Sequence, residues 1–237
     1  MGTVVSVDVR DAGVPGAAID EALAWLHEAD ALFSTYRAGS AVSRLDAGTL
    51  DLAGAGPLVR AVLERCEALR AATGGAFDVR ATGRLDPSGF VKGWAVQRAA
   101  DLLAVAGAAH FMVNAGGDVA LRGGPAPGER WAVGVQHPLR RDRVAAVLRV
   151  RDGAVATSGA YERGAHVVDP RTRRPPAGVL SVTVVGPDLG TADAYATAAF
   201  AMGPAGARWL ASVEGYAGLV VTGDETVLTT PAIDAYR

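Results

Sequence analysis

Lysine is all but missing from this chain. Lys92 stands alone, and the other 22 of its 23 basic residues are arginine. A composition that accepts arginine wherever a generic positive charge serves makes the one retained ammonium a candidate for a specific task. Cysteine is as scarce: Cys66 is the only one, so no disulfide forms within the chain. Its place in the helical stretch VLERCEAL reads as a buried structural thiol. No stretch approaches the ~18 consecutive apolar residues that a membrane-crossing helix needs. The opening MGTVVSVDV has neither the basic start nor the long apolar run of a secretion signal. As written, the sequence therefore reads as cytoplasmic unless a leader has been trimmed. A basic face is lacking too. The net charge is −2 and the arginines are scattered, which leaves no electrostatic footprint for nucleic acid. The one cluster, RTRRPP at 171–176, is short and stopped by proline, and reads as a loop.

Familiar ligand signatures are also missing. No G-x-G-x-x-G follows the first strand and no G-x-x-x-x-G-K-[ST] loop occurs, so neither nucleotide-binding fingerprint is present. The G-x-S-x-G elbow is absent. The four histidines, His27, His110, His137 and His166, lack zinc spacing, and Cys66 has no second thiol, which argues against a tightly held transition metal.

What is present is the pattern of a soluble globular protein, half apolar and one fifth charged. TVVSVDV at 3–9 predicts a strand. GAAIDEALAWLHEADALFSTY carries a helix-period stripe from Ile19 to Phe33, and RAGSAVSRLDAG after it reads as loop. PLVRAVLERCEALRAATGG predicts a helix with Pro57 in the first turn and a stop at Gly74–Gly75. GWAVQRAADLLAVAG predicts a third helix, and HFMVNAGG a short buried strand. Between 129 and 185 the pattern turns to strands: RWAVGVQH, VAAVLRV, AVATSG, AHVVDP and VLSVTVVG. TADAYATAAFAMG opens a fourth helix that continues in pieces to about 213, and AGLVVTGDETVLTT closes as a hairpin. Strands grouped apart from helices, with no long linker, predict a single compact α+β domain over 1–237.

Five stretches carry candidate chemistry. In TADAYAT, Thr191 as N-cap places Asp193 in the first turn and Thr197 four residues on, so a carboxylate and a hydroxyl share one face. Hard oxygens in that number suit Mg²⁺; a dipole-complementing Asp193 with a back-bonding Thr197 is the plainer alternative. NAGGD, with Gly116, Gly117 and Asp118, is either a close approach to a bulky group or a tight turn. GGAFDV sets an aromatic and a carboxylate on an emerging extended segment. LDPSGFVKG places Lys92 at a helix start, where it reaches a carboxylate or phosphate as a compact point charge, or is a chance survivor. In AHVVDPRT, His166 is either a general base or a structural histidine.

Taken in order, these pieces resemble the ApbE family, the FAD:protein FMN transferases. The likeness runs through MGT at 1–3, FSTYRAGSAVSRL at 33–45, GAFDV at 75–79, SGFVKGWAV at 88–96, NAGGD at 114–118, W-A-V-G-V-x-H-P at 131–138, ATSGAYER at 156–163, HVVDPRT at 166–172 and DAYAT at 193–197. The resemblance implies an α+β, T-fold-like domain of mixed and antiparallel sheet flanked by helices. It implies FAD as substrate and a divalent cation, usually Mg²⁺. Such enzymes split FAD at the pyrophosphate, place FMN on a threonine or serine of a target flavoprotein, and release AMP. An FAD pyrophosphatase and a non-catalytic FAD-binding protein remain alternatives on the same site. By the resemblance, Asp193 and Thr197 hold the metal with a backbone carbonyl near Gly89. Met1, Tyr36, Ala76, Phe77, Asp78, Asp86, Lys92 and Val167 line the FAD site, Gly116, Gly117 and Asp118 lie near the flavin, and His166 assists the acceptor hydroxyl.

Overall fold

A computed structural model of the chain describes residues 3–159 and 167–237. Its centre is a seven-stranded sheet in the order β1-β2-β3-β6-β7-β8-β9, every neighbouring pair antiparallel. The strands are β1 (Val5–Val9), β2 (Phe111–Ala115), β3 (Asp118–Arg122), β6 (Gly153–Gly159), β7 (Val179–Gly186), β8 (Ala217–Thr222) and β9 (Val227–Thr229). A separate two-stranded ribbon pairs β4 (Trp131–Gln136) with β5 (Val144–Val150). The helices are α1 (Gly16–Phe33), α2 (Ala41–Asp46), α3 (Pro57–Ala72), α4 (Ser88–Val105), α5 (Leu189–Ala201) and α6 (Ala205–Leu210), with a 3₁₀ turn at Pro231–Tyr236.

Strand alternation assigns the two faces of the sheet. Ala120, Ala154, Ala156, Val182 and Val184 point to one side, where α1, α4 and α5 bury Ala22, Leu26, Val96, Leu103, Ala192 and Ala196. Val119, Leu121, Val155, Val185, Leu219 and Val221 point to the other, and the β4–β5 ribbon covers them with Trp131, Val135, Leu148 and Val150. A third cluster lies beyond the helices, where α3 sets Val59, Val62, Cys66 and Leu69 against Phe90, Val91, Ala194 and Ala198. Burial pushes the Cys66 thiol up to about 12, so it stays protonated and packs as a small apolar side chain.

Helix α5 is thus covered on nearly all sides, and its sequence, LGTADAYATAAFA, is small enough to allow it. Close crossing with α4 rests on two glycines. A Cβ at Gly93 would stand 2.5 Å from the Leu189 carbonyl oxygen, and one at Gly190 would stand 3.1 Å from Trp94 Cα.

The structure departs from the sequence reading at several points. Residues 37–48 are not all loop: α2 forms because Ser40 Oγ caps the Ser43 N–H at 3.0 Å and Val42 is drawn into the core. Helix α4 begins at Ser88, one turn ahead of the expected Gly93, because Phe90 and Val91 gain burial. Lys92 therefore sits in the second turn, not at the helix start. Asp188, not Thr191, is the N-cap of α5 and accepts the Thr191 N–H at 2.7 Å; Asp193 moves to the second turn, and its face-sharing with Thr197 survives. Strand β3 went unread because it follows directly on a two-glycine turn. The segment 74–79 runs in turns rather than extended, and at 167–169 the expected strand reduces to one bridge, Asp169 with Arg174.

The Gly93→Ala variant is expected to lose about 1–3 kcal/mol of stability by urea unfolding, since the added methyl meets backbone that cannot rotate away. A change within ~0.5 kcal/mol, the range of an ordinary surface substitution, would mean that the crossing has slack.

Candidate active site

Where the start of α4 passes the middle of α5, beside the end of β6, the helices and the sheet leave a cleft of about 210 Å³. One wall is regular structure: Ser88, Gly89 and Lys92 from α4, Asp193 and Thr197 from α5, Thr157 and Ser158 from β6. A second wall is made of turns and irregular segments, with Tyr36, residues 76–79, Ala81, Thr82, Asp86, Val167, Val168 and Pro170. Ten expected residues thus meet in one place: Tyr36, Ala76, Phe77, Asp78, Asp86, Gly89, Lys92, Val167, Asp193 and Thr197. Met1 and His166 lie outside the described residues, although Val167, the chain neighbour of His166, lines the cleft.

The polar groups are held from behind. Asp193 is 2% exposed, and its Oδ2 accepts the Gly93 N–H at 3.0 Å across the helix crossing. Thr197 Oγ1 lies 3.3 Å from Ser158 Oγ, which links α5 to β6. A Cβ at Gly89 would come within 2.9 Å of Thr197 Oγ1, so the missing side chain keeps open the space around that hydroxyl. Lys92 Nζ pairs with Asp118 Oδ2.

The turn wall is tied down by its own hydrogen bonds. Thr73 Oγ1 accepts the Phe77 N–H at 3.0 Å, Asp78 Oδ1 the Arg80 N–H at 2.7 Å, and Asp86 Oδ1 the Ser88 N–H at 3.0 Å. Asp46, at the end of α2, accepts the Leu85 N–H at 2.7 Å and the Arg84 Nε–H at 3.0 Å. The Leu85 amide, then the Arg84 guanidinium, hold the Asp46 carboxyl below its usual range. Asp169 performs the same task for 167–174. Its pKa is lowered chiefly by the Arg171 side chain, which donates from Nε at 2.9 Å. Tyr36 stands at the mouth, 84% exposed.

Gly116 and Gly117 do not line the cleft. Ala115 faces Asp118 across the β2–β3 ladder, so the two glycines are the hairpin turn itself, with φ of 61° and 97°. Two positive φ values in a two-residue loop are what a type I′ turn requires, and glycine adopts them without strain. Thr157, Ser158, Ser88 and Thr82 were not singled out from sequence. The first two lie in ATSGAYER, where strand alternation placed a hydroxyl on each face and nothing marked either as facing a cleft.

Among the described residues no three His, Cys, Asp or Glu side chains gather as ligands. Asp193 supplies a carboxylate to the cleft and Thr197 and Ser158 supply neighbouring hydroxyls, hard oxygens that fit a cation keeping waters or phosphate oxygens in its shell.

The ApbE family model matches residues 1–83 and 79–220. The chain belongs to the ApbE family. Among curated relatives, the FAD:protein FMN transferase of Vibrio cholerae is 36% identical over 129 residues, 50% of this chain and 39% of that protein. The Escherichia coli K12 protein of the same name is 32% identical over 148 residues, 58% of this chain and 42% of that one. The matched segments span about two fifths of the length of these curated relatives. Solved ApbE structures share the fold throughout. The flavin transferase ApbE from Vibrio cholerae superposes with a TM-score of 0.87 at 24% identity, covering 100% of this chain and 96% of that one. The ApbE protein from Thermotoga maritima gives 0.82 at 24% identity, covering 99% and 96%. No helix among the described residues is long and apolar enough to cross a membrane.

The Asp46 tether sets a pH dependence. A carboxyl with a lowered folded pKa contributes fully above its unfolded value, and the contribution is lost as pH falls through the folded one. Protection of the Leu85 amide against hydrogen exchange, corrected for intrinsic rate, is expected to drop below about pH 4. Asp46→Ala should produce the same loss across 78–86 at neutral pH; unchanged protection would remove the tether.

Proposed function

We propose that this chain is an FAD:protein FMN transferase. It cleaves FAD at the pyrophosphate, joins FMN through a phosphoester to a threonine or serine of an acceptor flavoprotein, and releases AMP. The observation that carries the reading is the convergence of the Asp193 carboxylate, the Thr197 and Ser158 hydroxyls and the Lys92 ammonium in one cleft beside the apolar Phe77 and Val167. Family membership and the names of the curated relatives support it.

In this reading the apolar side chains and Tyr36 take the flavin end, and Lys92 meets a diphosphate oxygen. Asp193 and Thr197, with the backbone at Gly89, are the residues that would hold Mg²⁺. When bound, such a cation neutralises charge on the diphosphate. The acceptor hydroxyl oxygen bonds to the FMN-side phosphorus as the bond from that phosphorus to the AMP oxygen breaks, and the hydroxyl proton passes to a base. His166 is the candidate for that base, a role that contributes about 10²- to 10⁴-fold. Gly93 serves by fixing the Asp193 carboxylate from behind, so that no reorganisation of that group is needed on binding.

Two substitutions test the reading. Asp193→Ala is expected to reduce AMP release from FAD by about 10²-fold or more, as for loss of a preorganised electrostatic group; unchanged release would refute the metal assignment. His166→Ala should bind FAD as the parent does but transfer FMN to an acceptor about 10²-fold more slowly. An unaltered transfer rate would take that role from His166. Free FMN forming in place of a labelled acceptor would mark the protein as an FAD pyrophosphatase instead.

A further inference from the structure

Asp118 is an unexpected resident of this part of the fold. Carboxylates are almost never fully buried unless paired, and Asp118 has no exposed surface. It opens β3 behind the cleft without lining it. Its two oxygens are divided between two elements. Oδ1 accepts the Thr157 N–H at 3.1 Å, and Oδ2 pairs with Lys92 Nζ. Lys92 lines the cleft with its side chain 15% exposed. The ammonium thus stands between a buried carboxylate and the space where a substrate would sit.

We propose that Asp118 is a positioning residue that clamps the Lys92 ammonium at the back of the cleft, so that the substrate's diphosphate meets a preset cation. The inference rests on the reading of the cleft as an FAD site. A lysine stem is flexible, and freezing it during binding weakens affinity. The ion pair freezes it at folding instead. An ammonium has three donors, so pairing with one carboxylate oxygen is compatible with a second acceptor in the cleft. The same carboxylate holds the Thr157 amide, so α4 and the β6 wall that carries Thr157 and Ser158 share one anchor. This arrangement also accounts for the lone lysine. An arginine fork is strongest against two carboxylate oxygens at once, and here one of the two is already engaged by the Thr157 amide.

Because the chain has a single lysine, acetylation of its side chain is told apart from that of the terminal amine by the peptide that carries it. The test compares wild type, Asp118→Asn, Lys92→Met and the double variant. Asparagine keeps an acceptor for the Thr157 amide and replaces the oxygen that meets Lys92 with an N–H donor, removing both the charge and the acceptor of the clamp. Acetylation of Lys92 by N-hydroxysuccinimidyl acetate, localised by mass spectrometry without FAD, is expected to run several-fold faster in D118N, where the amine is no longer clamped against a carboxylate. FAD affinity, read from quenching of flavin fluorescence, should fall about 10-fold in D118N, the scale of one hydrogen bond to a charged group. K92M should fall at least as far, and the double variant no further than K92M.

Unchanged Lys92 reactivity in D118N overturns the proposal, as does a D118N penalty that persists in the K92M background, since Asp118 would then act on FAD by another route. If D118N accelerates acetylation but wild type binds no FAD, the clamp stands and the flavin reading fails. Should D118N not fold, thermal melting decides. K92M leaves a buried carboxylate without its cation, so K92M/D118N is expected to melt above K92M, and the reverse order overturns the pairing.

Discussion

Two helices crossing at near backbone contact set the terms for the rest of this molecule. At Gly93 and Gly190, α4 and α5 approach so closely that one added methyl on either would overlap the other helix. That approach brings a main-chain N–H of α4 against the carboxylate of Asp193, and Gly89, one turn earlier on α4, against the hydroxyl of Thr197. Burying a carboxylate on an apolar helix is costly unless it is hydrogen-bonded, and the crossing supplies that bond with backbone, whose position is fixed by both helices. Gly89, Asp193 and Thr197 from this contact line the cleft, so the geometry of its polar groups follows from the packing of its apolar ones.

The sequence made the large periodic elements legible for a physical reason. Helices α1 and α3 each bury one stripe, Ala22, Leu26, Ala29 and Phe33 in one and Val59, Val62, Cys66 and Leu69 in the other, so their period is visible in the residue types. Helix α5 is buried nearly all round, and its period is lost among alanines; only its start was readable, and even there the cap was misplaced by three residues. A helix start needs a capping oxygen and an upstream turn, and both Asp188 and Thr191 offer an oxygen. What separates them is the buried position of Leu189 and Gly190 against α4, a tertiary fact. Helix α2 was invisible because six residues carry too little pattern, and its stability comes from Ser40 and the burial of Val42.

The candidate site was legible in pieces whose meeting was not. Lys92 stood out by composition alone, and Asp193 with Thr197 by spacing, because both signals are local. That they face the same space depends on the α4–α5 crossing, which no stretch of sequence states. The glycines of NAGGD show the opposite case. Two adjacent glycines after a strand fit a ligand cradle and a type I′ turn equally well, and the strand that decides the matter, β3, was hidden because the turn left only five residues to read. Its first residue, Asp118, then points back to Lys92 and links two motifs that are 26 positions apart.

The cleft's two walls differ in how they are held, and the difference bears on what each can do. Ser88, Lys92, Asp193, Thr197, Thr157 and Ser158 sit on α4, α5 and β6, where backbone hydrogen bonding and core packing fix them together. Residues 76–86 and 167–174 are turns, held by the Asp46 and Asp169 carboxylates and by individual side-chain caps. Each such tether is one to three hydrogen bonds, worth far less than a helix packed in the core. Lys92, Asp193, Thr197 and Ser158 are thus carried by the rigid wall, and Tyr36, Phe77 and Val167 by the wall that yields at lower cost. The partition comes from ordinary folding physics: a buried helix crossing leaves no freedom, while a turn docked through one carboxylate keeps some.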